Sequence, residues 1–231
     1  MVKHSIAIII PAFEPTEHLP ALVKDLRSFL DNPIVIVNDG SDPALYRENF
    51  EKCASLPGVE ILNLDKNTGK GNALKTAFSY CLKKKISGVV TADSDGQHLP
   101  EDVRKCVESL VENPGFLVLG CRRFHGENVP FKNRIGNLLT CFIFFLLTGK
   151  RISDTQTGLR GIPAEFLQRF SEIPGARFEY ETNMLLQAEK WNLPILEIEI
   201  STVYDMAHPS THFRPVRDSL MICKILLKSM F

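Results

Sequence analysis

The sequence has no surplus charge of either sign: 27 Lys and Arg balance 27 Asp and Glu across 231 residues. Nucleic-acid binding draws on a basic excess, so whole-chain charge gives it no footing. The six cysteines (Cys53, Cys81, Cys106, Cys121, Cys141, Cys223) include no Cys-x-x-Cys pair. That argues against a zinc site or a thioredoxin-type motif. Several lie in apolar or helical-looking stretches, where free cysteine acts as a small hydrophobe, so reduced core thiols of a cytosolic protein are expected. The apolar run Leu138–Leu147 covers ten residues, whereas a membrane-spanning helix needs roughly 20. The start, MVKHSIAIIIPAFEP, lacks the length and small-residue cleavage site of a signal peptide and reads as a first buried strand. Repeats, low-complexity tracts and linkers are also missing. One domain is expected.

What is present is ordinary in amount and ordered in pattern. Hydrophobic residues make up 44% and charged residues 23%, as in a soluble globular protein. The chain is long enough to bury a core without disulfides or a structural metal. Strand-like apolar runs at Ser5–Ile10, Ile34–Asn38, Val59–Leu64, Gly88–Ala92 and Phe116–Leu119 alternate with helical patterns. Those helices are expected near Leu19–Leu30, Pro43–Ser55, Thr68–Lys84 and Pro100–Val111. Such alternation predicts an α/β fold with a doubly wound, mostly parallel sheet. Further on come a helix over Lys132–Leu147, a polar segment Ser153–Gly161, a helix over Tyr180–Trp191 and a strand over Ile195–Val203.

Ligands of open α/β sheets bind beyond the carboxyl ends of the strands. Three polar clusters fall there: Pro11-Ala12-Phe13-Glu14, Asn38-Asp39-Gly40-Ser41-Asp42 and Asp93-Ser94-Asp95-Gly96-Gln97-His98. Each alone reads as a polar turn, but three at consecutive strand ends point to one site. Carboxylates spaced i, i+2 after a buried strand crowd like charge. A divalent cation with hard oxygen ligands relieves that crowding, and Gln97 or His98 can back the pair. Mg²⁺ or Mn²⁺ bridging a diphosphate would neutralise charge on a leaving group. Gly69-Lys70-Gly71 lacks the full phosphate-loop spacing and reads as a glycine-rich helix entry, with Lys70 either meeting a phosphate or solvated. Arg122 and Arg123 close a buried strand, and an arginine fork suits phosphate. Of these, Arg122 is the candidate and Arg123 the surface partner.

In this order, IIIPAFEP, IVNDGSDP, NTGKGNALKTAF, TADSDGQHLPED and DTQTGLRGIP resemble family 2 glycosyltransferases of the GT-A fold, a Rossmann-like architecture. The resemblance covers roughly residues 5–205 and is nearest the dolichol-phosphate mannose synthase and polyprenyl-phosphate branch. It implies a glycosyltransferase domain over 1–205, with a nucleotide-sugar half (1–120) and an acceptor half (121–205). A basic loop and amphipathic helix (206–231) would follow. It assigns Pro11, Phe13 and Glu14 to the base and ribose, in a segment one residue shorter than the family form. By the same resemblance Asp39 reads the base edge, Ser94 joins the nucleotide site, and Asp93, Asp95 and Gln97 hold the metal. Arg122 faces a phosphate, and Arg134 is a further acceptor-side cation. Asp154 orients groups or acts as base, with orientation preferred because a lipid phosphate is already anionic. Arg160 steadies its loop or meets phosphate. Glu179 and Glu181 are acceptor-side candidates or merely charges at a helix start. His212, Arg214 and Arg217, in HPSTHFRPVR, close over the diphosphate or form a basic linker.

The expected reaction is inverting transfer of a hexose from a UDP- or GDP-sugar to an acceptor, with polyprenyl phosphate favoured over a saccharide hydroxyl. Phe131–Leu147 and Val216–Phe231 suit a membrane interface or a partner, core burial or a homo-oligomer being the alternative. The resemblance tips this toward peripheral attachment at the cytoplasmic membrane face. A nucleotidyltransferase would need a glycine-rich basic signature that IIIPAFEP lacks. A non-catalytic sugar-nucleotide-binding protein is disfavoured by the intact Asp-x-Asp pair.

Overall fold

A computed structural model describes residues 5–122 and 131–201, with backbone alone for 131–134. Seven strands join in one sheet of order β3-β2-β1-β4-β6-β5-β7. They are β1 (Ile6–Ala12), β2 (Ile34–Asn38), β3 (Val59–Asn63), β4 (Gly88–Thr91), β5 (Leu117–Arg122), β6 (Arg160–Pro163) and β7 (Ile195–Ile200). All neighbouring pairs are parallel except those of β6, which runs antiparallel to β4 and β5.

Covering both faces explains why β1, β2 and β4 read as continuous apolar runs. Along β1, Ala7 and Ile9 enter one core with α3 (Lys70–Lys83), α6 (Ala164–Glu172) and α7 (Glu179–Lys190). Its alternate residues Ile6, Ile8 and Ile10 enter a second core with α1 (His18–Arg27), α2 (Pro43–Ala54) and α4 (Pro100–Glu112). Asp42 caps α2, its carboxylate accepting the Ala44 N–H at 2.9 Å, a contact that satisfies one orphan donor of the first turn. The remaining helix, α5 (Phe131–Thr148), buries Asn137, Thr140 and Phe144 along one side.

The alternation that predicts the doubly wound sheet is realised, with corrections in the second half. The polar segment Ser153–Gly161 runs into β6, and α6 follows where no helix was expected. Thr68 and Gly69 precede α3 rather than open it. Cys53, Cys81, Cys106 and Cys121 are free and buried, and Cys141 is free and half-buried. Burial pushes the first four thiols well up. Cys223, Arg123, His212, Arg214, Arg217 and the expected terminal helix lie outside the described residues, as does the Arg134 side chain. No helix among the described residues is long and apolar enough to cross a membrane.

Candidate active site

Parallel pairing sends the ends of β1, β2, β4 and β5 to one edge of the sheet. Register fixes it: Ala12 lies opposite Asn38, and Thr91 opposite Arg160, so the loop before β6 reaches the same edge. Beyond β4, the Asp93-to-His98 turn closes on itself. The Asp93 N–H donates to His98 Nδ1 at 2.9 Å, and the Gln97 N–H donates to Asp95 Oδ1 at 3.1 Å. Thr91 Oγ1 donates to the Gly158 carbonyl at 2.7 Å, which ties β4 to the Asp154 loop. A Cβ at Gly158 would overlap the Asp93 carboxylate. Only glycine lets that loop approach so closely.

Lys70, at the first position of α3, is largely buried between two acids. Its Nζ lies 2.5 Å from Asp93 Oδ1 and 2.9 Å from Glu181 Oε2. The solvated-lysine alternative is therefore corrected, because this cation is held by two carboxylates. Desolvation works against the ammonium, but Asp93 and Glu181 outweigh it and hold it protonated. Burial likewise opposes ionisation of Asp93. Lys70, His98 and Arg122 more than compensate and bring its carboxyl down to about 2. Asp95 goes the other way, raised by burial and by the Asp93 charge beside it.

Arg122, ending β5, forms a bidentate pair with the fully buried Asp154. Nε donates to Oδ2 at 2.7 Å and Nη2 to Oδ1 at 3.1 Å. Asp154 also accepts the backbone N–H of Gln156 at 3.0 Å. Arg160 lies beneath, 1% exposed, donating to the carbonyls of Thr157 (3.1 Å) and Glu181 (2.5 Å). Of the two readings of Arg160, these contacts match the loop-steadying one.

Asp39 is buried, and its oxygens accept from Thr68 N (2.7 Å), Thr68 Oγ1 (3.0 Å) and Gly69 N (2.8 Å). It anchors the entry to α3, a role the sequence did not suggest. Gly69 turns that entry at φ 97°, against Ala176, a conformation open to glycine. Glu14 sits nearby at φ 50°, its N–H donating to Ser41 Oγ at 2.9 Å. Pro11, Phe13 and Ser94 lie on the same edge, Pro11 buried and the other two half-buried. Sequence reasoning missed Asn137, on the buried side of α5. Its amide donates to the Ser153 carbonyl at 3.0 Å and accepts the Thr155 N–H at 3.2 Å. The signal was there: one amide at i, with Thr140 at i+3, inside an apolar helix.

Asp93 and Asp95 set two carboxylates, hard oxygen donors, on one turn beyond β4, the Asp95 carboxyl raised first by burial and then by the Asp93 charge. That chemistry fits Mg²⁺ or Mn²⁺. Among the described residues no group of three or more His, Cys, Asp or Glu is arranged to hold a metal ion.

Comparison with known proteins adds the lineage. The family described as Glycosyl transferase family 2 matches residues 7–189. Over 220 residues the chain is 30% identical to the UDP-N-acetylglucosamine–dolichyl-phosphate N-acetylglucosaminyltransferase of Methanococcus voltae, covering 88% of each. It is 24% identical over 201 residues to the undecaprenyl-phosphate mannosyltransferase of Micrococcus luteus, covering 84% of this chain and 82% of that one. Among solved structures, glucosyl-3-phosphoglycerate synthase from Mycobacterium tuberculosis, with Mn²⁺, UDP and glucosyl-3-phosphoglycerate, matches at a TM-score of 0.72. The match covers 99% of this chain and 79% of that one. At 15% identity it speaks for the fold alone.

Proposed function

The chain belongs to glycosyl transferase family 2, and from that premise we propose that it moves a hexose from a UDP- or GDP-sugar to polyprenyl phosphate with inversion. The observation that carries the proposal is the convergence of Asp93, Asp95 and Lys70 with the Arg122–Asp154 clamp on one sheet edge. When bound, Mg²⁺ or Mn²⁺ supplies Lewis-acid stabilisation of the departing nucleoside diphosphate. Asp93 and Asp95 would hold it, with Gln97 as a further oxygen donor. Pro11, Phe13, Glu14, Asp39 and Ser94 form the nucleotide side. Arg122, fixed by Asp154, presents a rigid guanidinium to a phosphate. Inversion places the acceptor phosphate oxygen in line with the anomeric carbon, and an anionic nucleophile has no proton for Asp154 to remove.

Two observations favour a lipid acceptor. The 30%-identical relative is named for dolichyl phosphate. On α5, Ile135, Leu138, Leu139, Phe142 and Leu146 are exposed at i, i+3, i+4, i+7 and i+11, the spacing of one helical face. The opposite side of that helix holds the Asp154 loop through Asn137. A lipid surface met by this face would attach the protein peripherally, which we propose to be on the cytoplasmic side of the membrane. The test is release of UDP or GDP from a panel of sugar nucleotides with Mn²⁺, with polyprenyl phosphate or 3-phosphoglycerate as acceptor. Turnover raised by polyprenyl phosphate is expected. Transfer to 3-phosphoglycerate alone would overturn the acceptor assignment.

A further inference from the structure

Lys70 stands where a metal-binding carboxylate has to be shared. Its ammonium contacts Asp93 at 2.5 Å, on the same turn as Asp95. A divalent cation arriving alone at Asp93 meets that positive charge at close range, and like charges at such distances disfavour one another. A nucleoside diphosphate brings negative charge with it and removes the conflict. The lysine also has somewhere to go. Glu181 already holds it at 2.9 Å through Oε2, and Glu181 Oε1 is buried without a hydrogen-bond partner. Moving off Asp93 would let the ammonium satisfy that oxygen while remaining protonated.

From this geometry we infer that Lys70 is a tethered counter-ion that competes with the divalent cation for Asp93, so that metal is loaded together with the donor diphosphate. The inference rests on the metal-dependent reading above. Binding of Mn²⁺ to the full chain, followed by the paramagnetic resonance of the free ion, tests it with and without UDP or GDP. Without nucleotide, Lys70→Gln is expected to bind Mn²⁺ on the order of tenfold more tightly than wild type, the scale of one adjacent opposite charge on a carboxylate. The gain in affinity produced by nucleotide should shrink by the same factor, and Lys70→Arg should restore wild-type behaviour. Glu181→Gln gives an independent reading. It releases Lys70 wholly to Asp93 and should weaken Mn²⁺ binding without nucleotide. Unchanged or weaker Mn²⁺ affinity in folded Lys70→Gln, or unchanged affinity in Glu181→Gln, overturns the inference while leaving the metal-dependent reading standing. Failure of every variant and of wild type to bind Mn²⁺ with either nucleotide overturns it together with the reading on which it rests.

Discussion

Single side chains carry the chemistry through their pairings. Asp154 is fully buried, and both oxygens are engaged by Arg122. Asp154→Asn keeps the shape but removes the charge and one of the two matched acceptors. Breaking a buried ion pair costs about 3–5 kcal/mol, and the partial exposure of Arg122 sets this one at the low end. The expected outcome is a lower melting temperature and a fall in kcat/KM on the order of 100-fold, from a displaced guanidinium. Steady-state kinetics beside thermal melts check it, and unaltered kcat/KM would contradict the clamp. Asp93 gives a pH signature. Its carboxyl ionises at about 2 instead of the ordinary 3.8. A depressed carboxyl stabilises the fold fully above the unfolded value, and that contribution is lost as pH falls toward the folded value. Lys70 is the leading cause of the depression. The stability gap between wild type and Lys70→Gln, from metal-free urea denaturation, should therefore be widest above about pH 4 and close toward about pH 2. A gap that ignores pH speaks against the pair. Residue types were legible in the sequence: acids after β4, an arginine ending β5. Their partners were not, because Lys70, Asp93 and Glu181 meet only through the folded sheet.

Elements divide between those that announce themselves and those that depend on neighbours. β1, β2 and β4 are buried on both faces, so apolar runs ending in polar turns give them away. β6 has four residues, an arginine at one end and a proline at the other, with no periodicity to detect. Its place is set by antiparallel register with β4 and β5, a tertiary fact. The helix α5 was legible as a helix, while its exposed apolar side emerged only once Asn137, Thr140 and Phe144 were seen to face inward. That side makes its own prediction. Leu138→Glu with Leu146→Glu should abolish sedimentation with polyprenyl-phosphate-containing vesicles, since each leucine contributes about 1.5–3 kcal/mol when buried in an apolar phase. Melting temperature and turnover on a short, water-soluble polyprenyl phosphate should stay as in wild type. Retained vesicle binding would assign the face to another use.

The whole molecule is electrically neutral in total and strongly charged in one place. Equal numbers of acids and bases hide a single sheet edge where Asp93, Asp95, Asp154 and Glu181 face Lys70, Arg122 and Arg160. Composition could not reveal that edge. Strand order could, since parallel strands deliver their carboxyl ends to a common side. That Asp39, Asp93, Asp95 and Arg122 meet at this edge was thus readable from motif order. The loop before β6 and the side of α5 turned inward were not, because both are set by packing.

The most direct measurement is nucleotide release by wild type and by Asp95→Ala, from UDP- and GDP-sugars, with Mn²⁺ present or chelated. Wild type should turn over a sugar nucleotide only with the metal, and Asp95→Ala should lose that turnover while keeping its circular dichroism and melting profile. Metal-dependent release undiminished in folded Asp95→Ala would contradict the account.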